Sequence, residues 1–176
     1  MKYEEKKLTQ NYIYNGRIIN LRNDEVTLPN GNTAQREVVE HPGGVCVAAI
    51  DAEMNILLVR QFRYPYYEEL YEIPAGKLAP GEDPLECGKR ELKEETGASA
   101  EKYTDLGILY PSPGYCNEKI YMYLAEGLTF GEQQPDEDEF IDAEKMPLEE
   151  AIKLVLSNQI RDAKTQTAIL KVRAMR

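Results

Sequence analysis

The chain of 176 residues has no tryptophan, a single histidine (His41) and three cysteines, Cys46, Cys87 and Cys116, none in CxxC spacing. So sparse a set of imidazoles and thiols excludes a Cys/His zinc site, and its odd, scattered cysteines indicate reduced thiols rather than a disulfide framework. Long apolar runs are also missing. Nothing approaches the roughly 20 residues that span a bilayer, and the N-terminal MKYEEKKLTQNYIYNG has no apolar signal core. Positive charge is short as well: 21 Lys plus Arg stand against 31 Asp plus Glu, a formal net charge of -10. An acidic surface repels phosphate backbones and anionic lipids, and no basic run offsets it. Neither nucleic acid nor membrane is therefore an expected partner, and the expectation is a cytoplasmic protein. A small anion held by a few arginines or by a metal remains compatible with that charge.

Gly and Pro are scattered as turns, with no repeat and no linker. The first forty residues suggest short strands at Tyr12–Tyr14, Ile18–Leu28 and Thr33–Glu40, the last two joined by a Pro29-Asn30-Gly31 turn. The apolar runs Val45–Ile50 and Ile56–Val59 predict central strands, and Tyr67–Ile73 another, leading into the loop PAGKLAPGED. Asp83-Pro84-Leu85-Glu86 combines an N-cap, a first-turn proline and a capping-box glutamate, so a helix is expected to run to about Thr96 and stop at Gly97. Strands are expected at Tyr103–Tyr110 and Lys119–Ala125, with PSPGYCN between them and an acidic loop at Pro135–Glu139. Pro147 opens a helix with an apolar stripe of Leu148, Ile152, Val155 and Leu156, and a last helix begins near Asp162. Strands and helices mixed in this way predict an α+β fold, a mixed sheet flanked by helices.

On the helix from Pro84 to Thr96, Glu91, Glu94 and Glu95 fall within one narrow arc beside the packing edge of Leu85 and Leu92. Like charges at i,i+3 and i,i+4 cost roughly 0.2–0.5 kcal/mol per pair, and carboxylates near a helix C-terminus also oppose the macrodipole. Breaking two local preferences at once marks a functional position. Clustered carboxylate oxygens suit a hard divalent cation, Mg2+ or Mn2+, which turns the repulsion into binding; the alternative is a solvated acidic face. Arg90 is placed to hold a carboxylate in a bidentate fork, and the carbonyl of Ala75 to add a neutral oxygen ligand.

Gly76, five residues, Glu82, seven residues, Arg90-Glu91-Leu92, one residue, Glu94-Glu95, one residue, Gly97-Ala98 matches the Nudix box at every fixed position. The chain thereby resembles the Nudix hydrolases. REVVEHPGG, LLVRQFRYP, LYEIPAGKL and LYPSPGY extend the likeness to the ADP-ribose pyrophosphatase subgroup over nearly the whole chain, with Pro111 and Pro113 where that subgroup carries a marker proline.

The resemblance implies a Nudix fold, an α/β/α sandwich at residues 41–176, preceded by a strand-rich extension at residues 1–40 that pairs with a second subunit in a homodimer. It implies Mg2+-dependent hydrolysis of the diphosphate of ADP-ribose to AMP and ribose 5-phosphate, with Mn2+ as a possible substitute. The rivals are hydrolysis of other nucleoside diphosphate sugars or dinucleotides, and a non-catalytic nucleotide-binding module. Glu91 and Glu95 become the surest metal ligands, with Glu94 and the Ala75 carbonyl beside them and Arg90 in the catalytic set. Ligand carboxylates are poor proton acceptors, so the general base is expected in the acidic loop, at Glu137 or Glu139. Arg36, Arg60 and Arg63 lie near strand ends, where a fork-shaped cation suits phosphate; Arg63 in QFR best carries the resemblance. Glu72 in YEIPAG matches a glutamate that receives hydrogen bonds from adenine or ribose, and Pro113 joins the substrate side. Arg36 is expected to reach the partner subunit's pocket. Gly88 stands inside the helix at a cost of up to about 1 kcal/mol relative to Ala.

Overall fold

The computed structural model describes residues 2–134 and 140–176. They form two units, one built from the chain up to Gly43 together with Tyr110–Lys119, the other from Gly44–Leu109 with Ile120–Arg176.

The first unit is an antiparallel meander of β1 (Lys6–Asn15), β2 (Asn20–Thr27) and β3 (Thr33–Glu40), in that order. The Pro29-Asn30-Gly31 turn forms as expected, closed by Gly31 N–H donating to Leu28 O at 2.9 Å, with Gly31 at φ +87°. Strand β1 is exposed along its whole length, Leu8, Tyr12, Ile13 and Tyr14 included. Tyr110–Lys119 docks beside β3 through Val39 N–H to Tyr115 O (2.8 Å) and Asn117 N–H to Val39 O (3.1 Å).

The second unit runs β4 (Gly44–Ala49), β5 (Asn55–Arg63), β6 (Glu68–Glu72), β7 (Ala75–Lys77), α1 (Pro84–Thr96), β8 (Ala98–Leu109), β9 (Ile120–Phe130), β10 (Asp142–Pro147), α2 (Leu148–Leu156) and α3 (Ala163–Ala174). One sheet has the order β7-β4-β9-β8, with β4 and β9 parallel and the other pairs antiparallel; a second, antiparallel sheet has the order β10-β5-β6. The mixed pattern and the α+β class agree with expectation.

Strand β4 is buried on both faces, which is why VCVAA is continuously apolar instead of alternating. Its side chains nevertheless sort by the two-residue period of a strand. Cys46 and Ala48 enter a core with Ile152 and Val155 of α2 and Ile169 and Val172 of α3. Val47 and Ala49 enter a second core with Leu92 of α1. Helices thus cover both faces of the sheet.

Helix α1 starts and stops where its end residues require. Asp83 accepts from the amides of Leu85 (2.9 Å) and Glu86 (3.1 Å). Gly97 adopts φ +69°, donates to Lys93 O at 2.8 Å, and hands the chain straight to β8. Gly88 is explained by packing: a Cβ there would lie 3.1 Å from Cγ2 of both Val45 and Val47, so its absence lets α1 lie close on β4.

Four expectations change. The three-residue β7 forms inside the segment read as a loop, and β10 forms in DAEKMP, where the polar residues and Pro147 gave no strand signal. Glu86 turns to Lys89 (2.7 Å) rather than back to the N-cap, because the exposed lysine one turn on offers a full charge. Leu156 is 75% exposed, and the buried stripe of α2 is Leu148, Ala151, Ile152 and Val155.

If Gly88 sets the separation of α1 from β4, Gly88→Leu should lower stability by about 1–3 kcal/mol through overpacking. Urea denaturation measures this, and an unchanged midpoint would contradict the packing role.

Candidate active site

One helical turn of α1 sets Glu91 above Glu95, and both are buried, at 9% and 2% exposure, while Glu94 is half-buried. The floor beneath them is β7. A Cβ on Gly76 would stand 1.8 Å from Glu91 Oε1, so only glycine allows that carboxylate to rest against the strand. The neighbouring Ala75 N–H donates to Glu95 Oε2 at 3.0 Å.

Arg90 closes the cluster from outside. Its Nη1 lies 2.9 Å from Glu91 Oε1 and 2.8 Å from Glu94 Oε2, and its Nε lies 3.3 Å from Glu82 Oε1. The sequence suggested a fork on one carboxylate, but the guanidinium is shared among three. Burial works against its charge, yet the carboxylates of Glu91, Glu82 and Glu94 outweigh that and raise its pKa further. Glu82 in turn accepts from Ala79 N–H at 2.9 Å, and that amide, with Arg90, holds its pKa below the usual carboxylate value. Burial and the nearby Glu82 push the Cys87 thiol up to about 12, which makes it a neutral packing group and no nucleophile.

A second network adjoins the first. Arg63 on β5 grips Glu72 on β6 with Nε to Oε1 at 2.5 Å and Nη2 to Oε2 at 2.6 Å. Glu72 is 1% exposed, and its Oε2 also receives Lys164 Nζ, which lies 2.9 Å from Asp162 Oδ1. Asp162 caps α3, accepting from Thr165 N–H (2.9 Å) and from its hydroxyl (2.6 Å), and Thr165 Oγ1 accepts from Ile73 N–H (2.9 Å). Burial alone would raise the Glu72 pKa, but Arg63 and Lys164 overcome it and hold the group below the ordinary value. Burial would likewise lower Lys164, and the charges of Glu72 and Asp162 raise it instead. Arg63 is held high first by its hydrogen bond to Glu72 and in smaller part by the charge of Glu95, so the two networks share one field.

The fold therefore brings together Ala75, Arg90, Glu91, Glu94 and Glu95, with Arg63 and Glu72 alongside. Arg36 belongs to the other unit, where Nε and Nη2 pair with Glu5 at 2.9 and 2.6 Å; Pro113 lies in that unit too, exposed on Tyr110–Lys119. Arg60 pairs with Glu69 at 2.6 Å on an exposed face. Glu137 and Glu139 lie outside the described residues. Sequence reasoning assigned no role to Glu82, Asp162, Thr165 or Lys164. The fixed place of Glu82 in the motif was a signal, whereas Lys164, just inside α3, offered none. The donors are hard oxygens of the kind Mg2+ prefers, and Gly76 leaves space for one of them. Among the described residues no three acidic, Cys or His side chains stand close enough to enclose an ion, since Arg90 lies between Glu91 and Glu94.

Residues 40–167 match the model of the NUDIX domain. The chain belongs to the Nudix family. Residues 5–39 of this Nudix protein match the nucleoside diphosphate sugar hydrolase N-terminal domain. The chain is 45% identical to the ADP-ribose pyrophosphatase of Bacillus subtilis (strain 168), over 94% of this chain and 91% of that one. It is 44% identical to the methanol dehydrogenase activator of Bacillus methanolicus (95% and 91%), and 35% identical to the ADP-ribose pyrophosphatase of Mycobacterium tuberculosis (98% and 85%). A solved structure described as an ADP compounds hydrolase shares the Nudix fold at a TM-score of 0.85 and 23% identity, over 98% of this chain and 94% of that one.

Because Glu72 has a lowered folded-state pKa, its contribution to stability is complete above the ordinary carboxylate value and fades as pH falls through the folded one. Glu72→Gln leaves Arg63 and Lys164 short of their counter-ion and should cost roughly 3 kcal/mol at pH 7. Denaturant midpoints of the two proteins should converge as the pH is lowered below about 4.5; a gap independent of pH would show that charge is not the cause.

Proposed function

We propose that this Nudix protein hydrolyses the diphosphate linkage of ADP-ribose, releasing AMP and ribose 5-phosphate, with Mg2+ as its cation and Mn2+ as a substitute. The observation that carries the proposal is the burial of two carboxyl side chains, Glu91 and Glu95, side by side on the Gly76–Ala75 floor. The substrate follows from the two relatives that bear the name ADP-ribose pyrophosphatase. Glu91 and Glu95, with Glu94 and the Ala75 carbonyl, would hold the cation, which when bound neutralises diphosphate charge and acidifies a water.

The remaining roles fall to this chain's own side chains. Arg90 orients Glu91 and Glu94 through its ion pairs with both. Arg63 presents its guanidinium to phosphate oxygens, and Glu72, enclosed by Arg63 and Lys164, acts by holding Arg63 rather than by touching adenine or ribose. Glu137 or Glu139 takes the proton of the attacking water. Arg36 and Pro113 serve the substrate in a homodimer formed through the N-terminal strands, supported by the exposed apolar residues of β1. Free cysteines suit a cytoplasmic setting.

A second reading, hydrolysis of other nucleoside diphosphate sugars, is favoured by the family of the N-terminal strands. A binding module without catalysis is disfavoured, because every box glutamate is in place.

With Mg2+, ADP-ribose should be turned over faster than sugar nucleotides in a product assay; the reverse order would move the assignment to the second reading. Glu95→Gln should lower kcat by on the order of 100-fold and abolish Mg2+ binding in calorimetry while leaving the melting temperature within a few degrees. Undiminished binding would remove Glu95 from the ligand set.

A further inference from the structure

The start of α3 is tied to β6 and the residue after it more heavily than packing requires. Arg161 donates to Glu68, Thr165 Oγ1 accepts from the Ile73 amide, and Lys164 binds Glu72. The first two contacts already hold the helix on the strand. Lys164 adds a charge in a place where charge is costly: it is 11% exposed and meets a carboxylate that is 1% exposed.

The charges in this network are ordered by depth. Glu72 lies innermost, Lys164 and Asp162 next at 11% and 18% exposure, and Arg63 outermost at 39%. Two cations balance two anions. Arg63 spends Nε and Nη2 on Glu72, which leaves Nη1 outside that pair on a side chain that is 39% exposed. Without Lys164, Glu72 and Asp162 would have Arg63 as their one cation in this network, and the group would become net negative in the field of Glu95.

We infer that Lys164 is a positioning residue for substrate, acting through Glu72: it offsets the negative charge of that carboxylate, so that the field of the Arg63 guanidinium is not cancelled by Glu72 and still attracts the diphosphate of the incoming nucleotide. This rests on the hydrolase reading above, and it adds α3, an element outside the box, to the machinery that selects dianionic substrates. Asp162 sets the opposite sign in the same balance, so the two residues tune diphosphate affinity against each other.

The test uses three full-length variants, Lys164→Met, Asp162→Asn and the double variant, assayed with ADP-ribose and Mg2+ and titrated with inorganic pyrophosphate by calorimetry. Asn caps a helix about as well as Asp, so Asp162→Asn removes charge and keeps the cap. Lys164→Met should raise KM and the pyrophosphate Kd about tenfold and leave kcat within about twofold. Asp162→Asn should lower both KM and Kd about threefold, and the double variant should return to within about twofold of the parent. A structural tie alone predicts the opposite for the double variant, which would be at least as impaired as Lys164→Met. Unchanged KM and Kd in folded Lys164→Met, or a double variant no better than the single one, would overturn the inference. Should Lys164→Met fail to fold, Asp162→Asn decides it, since unchanged or weakened pyrophosphate binding there contradicts the charge balance. A parent protein that binds pyrophosphate but leaves ADP-ribose intact would overturn the hydrolase reading, and the variants' order of pyrophosphate affinity would still judge Lys164.

Discussion

Mutual repulsion among Glu91, Glu94 and Glu95 is the constraint around which the second unit is arranged. Three carboxylates within the last turns of a helix oppose one another and the helix dipole, and two of them are also deprived of water. Arg90 and the Ala75 amide supply opposing charge and a donor, while Gly76 supplies room. The helix is otherwise well provided for. Asp83 caps its start, Gly97 ends it, and Leu92 and Gly88 fit it closely to the sheet. Stability from these features offsets the cost of concentrating negative charge on one helix face.

The layered architecture decides what stands next to those carboxylates. One face of β4 receives α1 and its acidic edge, and the other receives α3, whose capped start meets β6. Strand β7, only three residues long, links the two sides: its first residue answers Glu95, its second makes way for Glu91, and it begins three residues after Glu72. Helix α1 with its acidic face and the Arg63–Glu72 network are thus neighbours along the chain as well as in space.

Helix α1 was legible because its information is local: an N-cap, a first-turn proline, a stop glycine and a leucine edge all lie within fifteen or so residues, as helix signals do. The box glutamates were legible for a related reason, since their spacing alone placed them on one face. Strands β7 and β10 were not. A three-residue AGK has too few positions to show a period, and DAEKMP owes its extended form to pairing with β5 rather than to its own side chains. Glu72 could be picked out as unusual, but its partners are Arg63, nine residues earlier, and Lys164, 92 residues later. No periodicity encodes a contact of that range. Glu82 shows the converse case, a position fixed in a motif whose purpose, accepting from Ala79 and Arg90, appears only once the turn before the helix has closed.

The parallel pairing of β4 with β9 joins Gly44 to Ile120 and Ala49 to Ala125, with α1 and four strands interposed in the sequence. Closing so long a loop surrenders chain entropy before any contact repays it, and topologies of this kind fold in milliseconds to seconds rather than microseconds. Hairpins such as β5–β6 and β8–β9 can form first, but the two hydrophobic cores on either side of β4 cannot both be sealed until that long-range register is found. On the time axis, the acidic helix acquires its rigid support at the end of folding, not at the beginning.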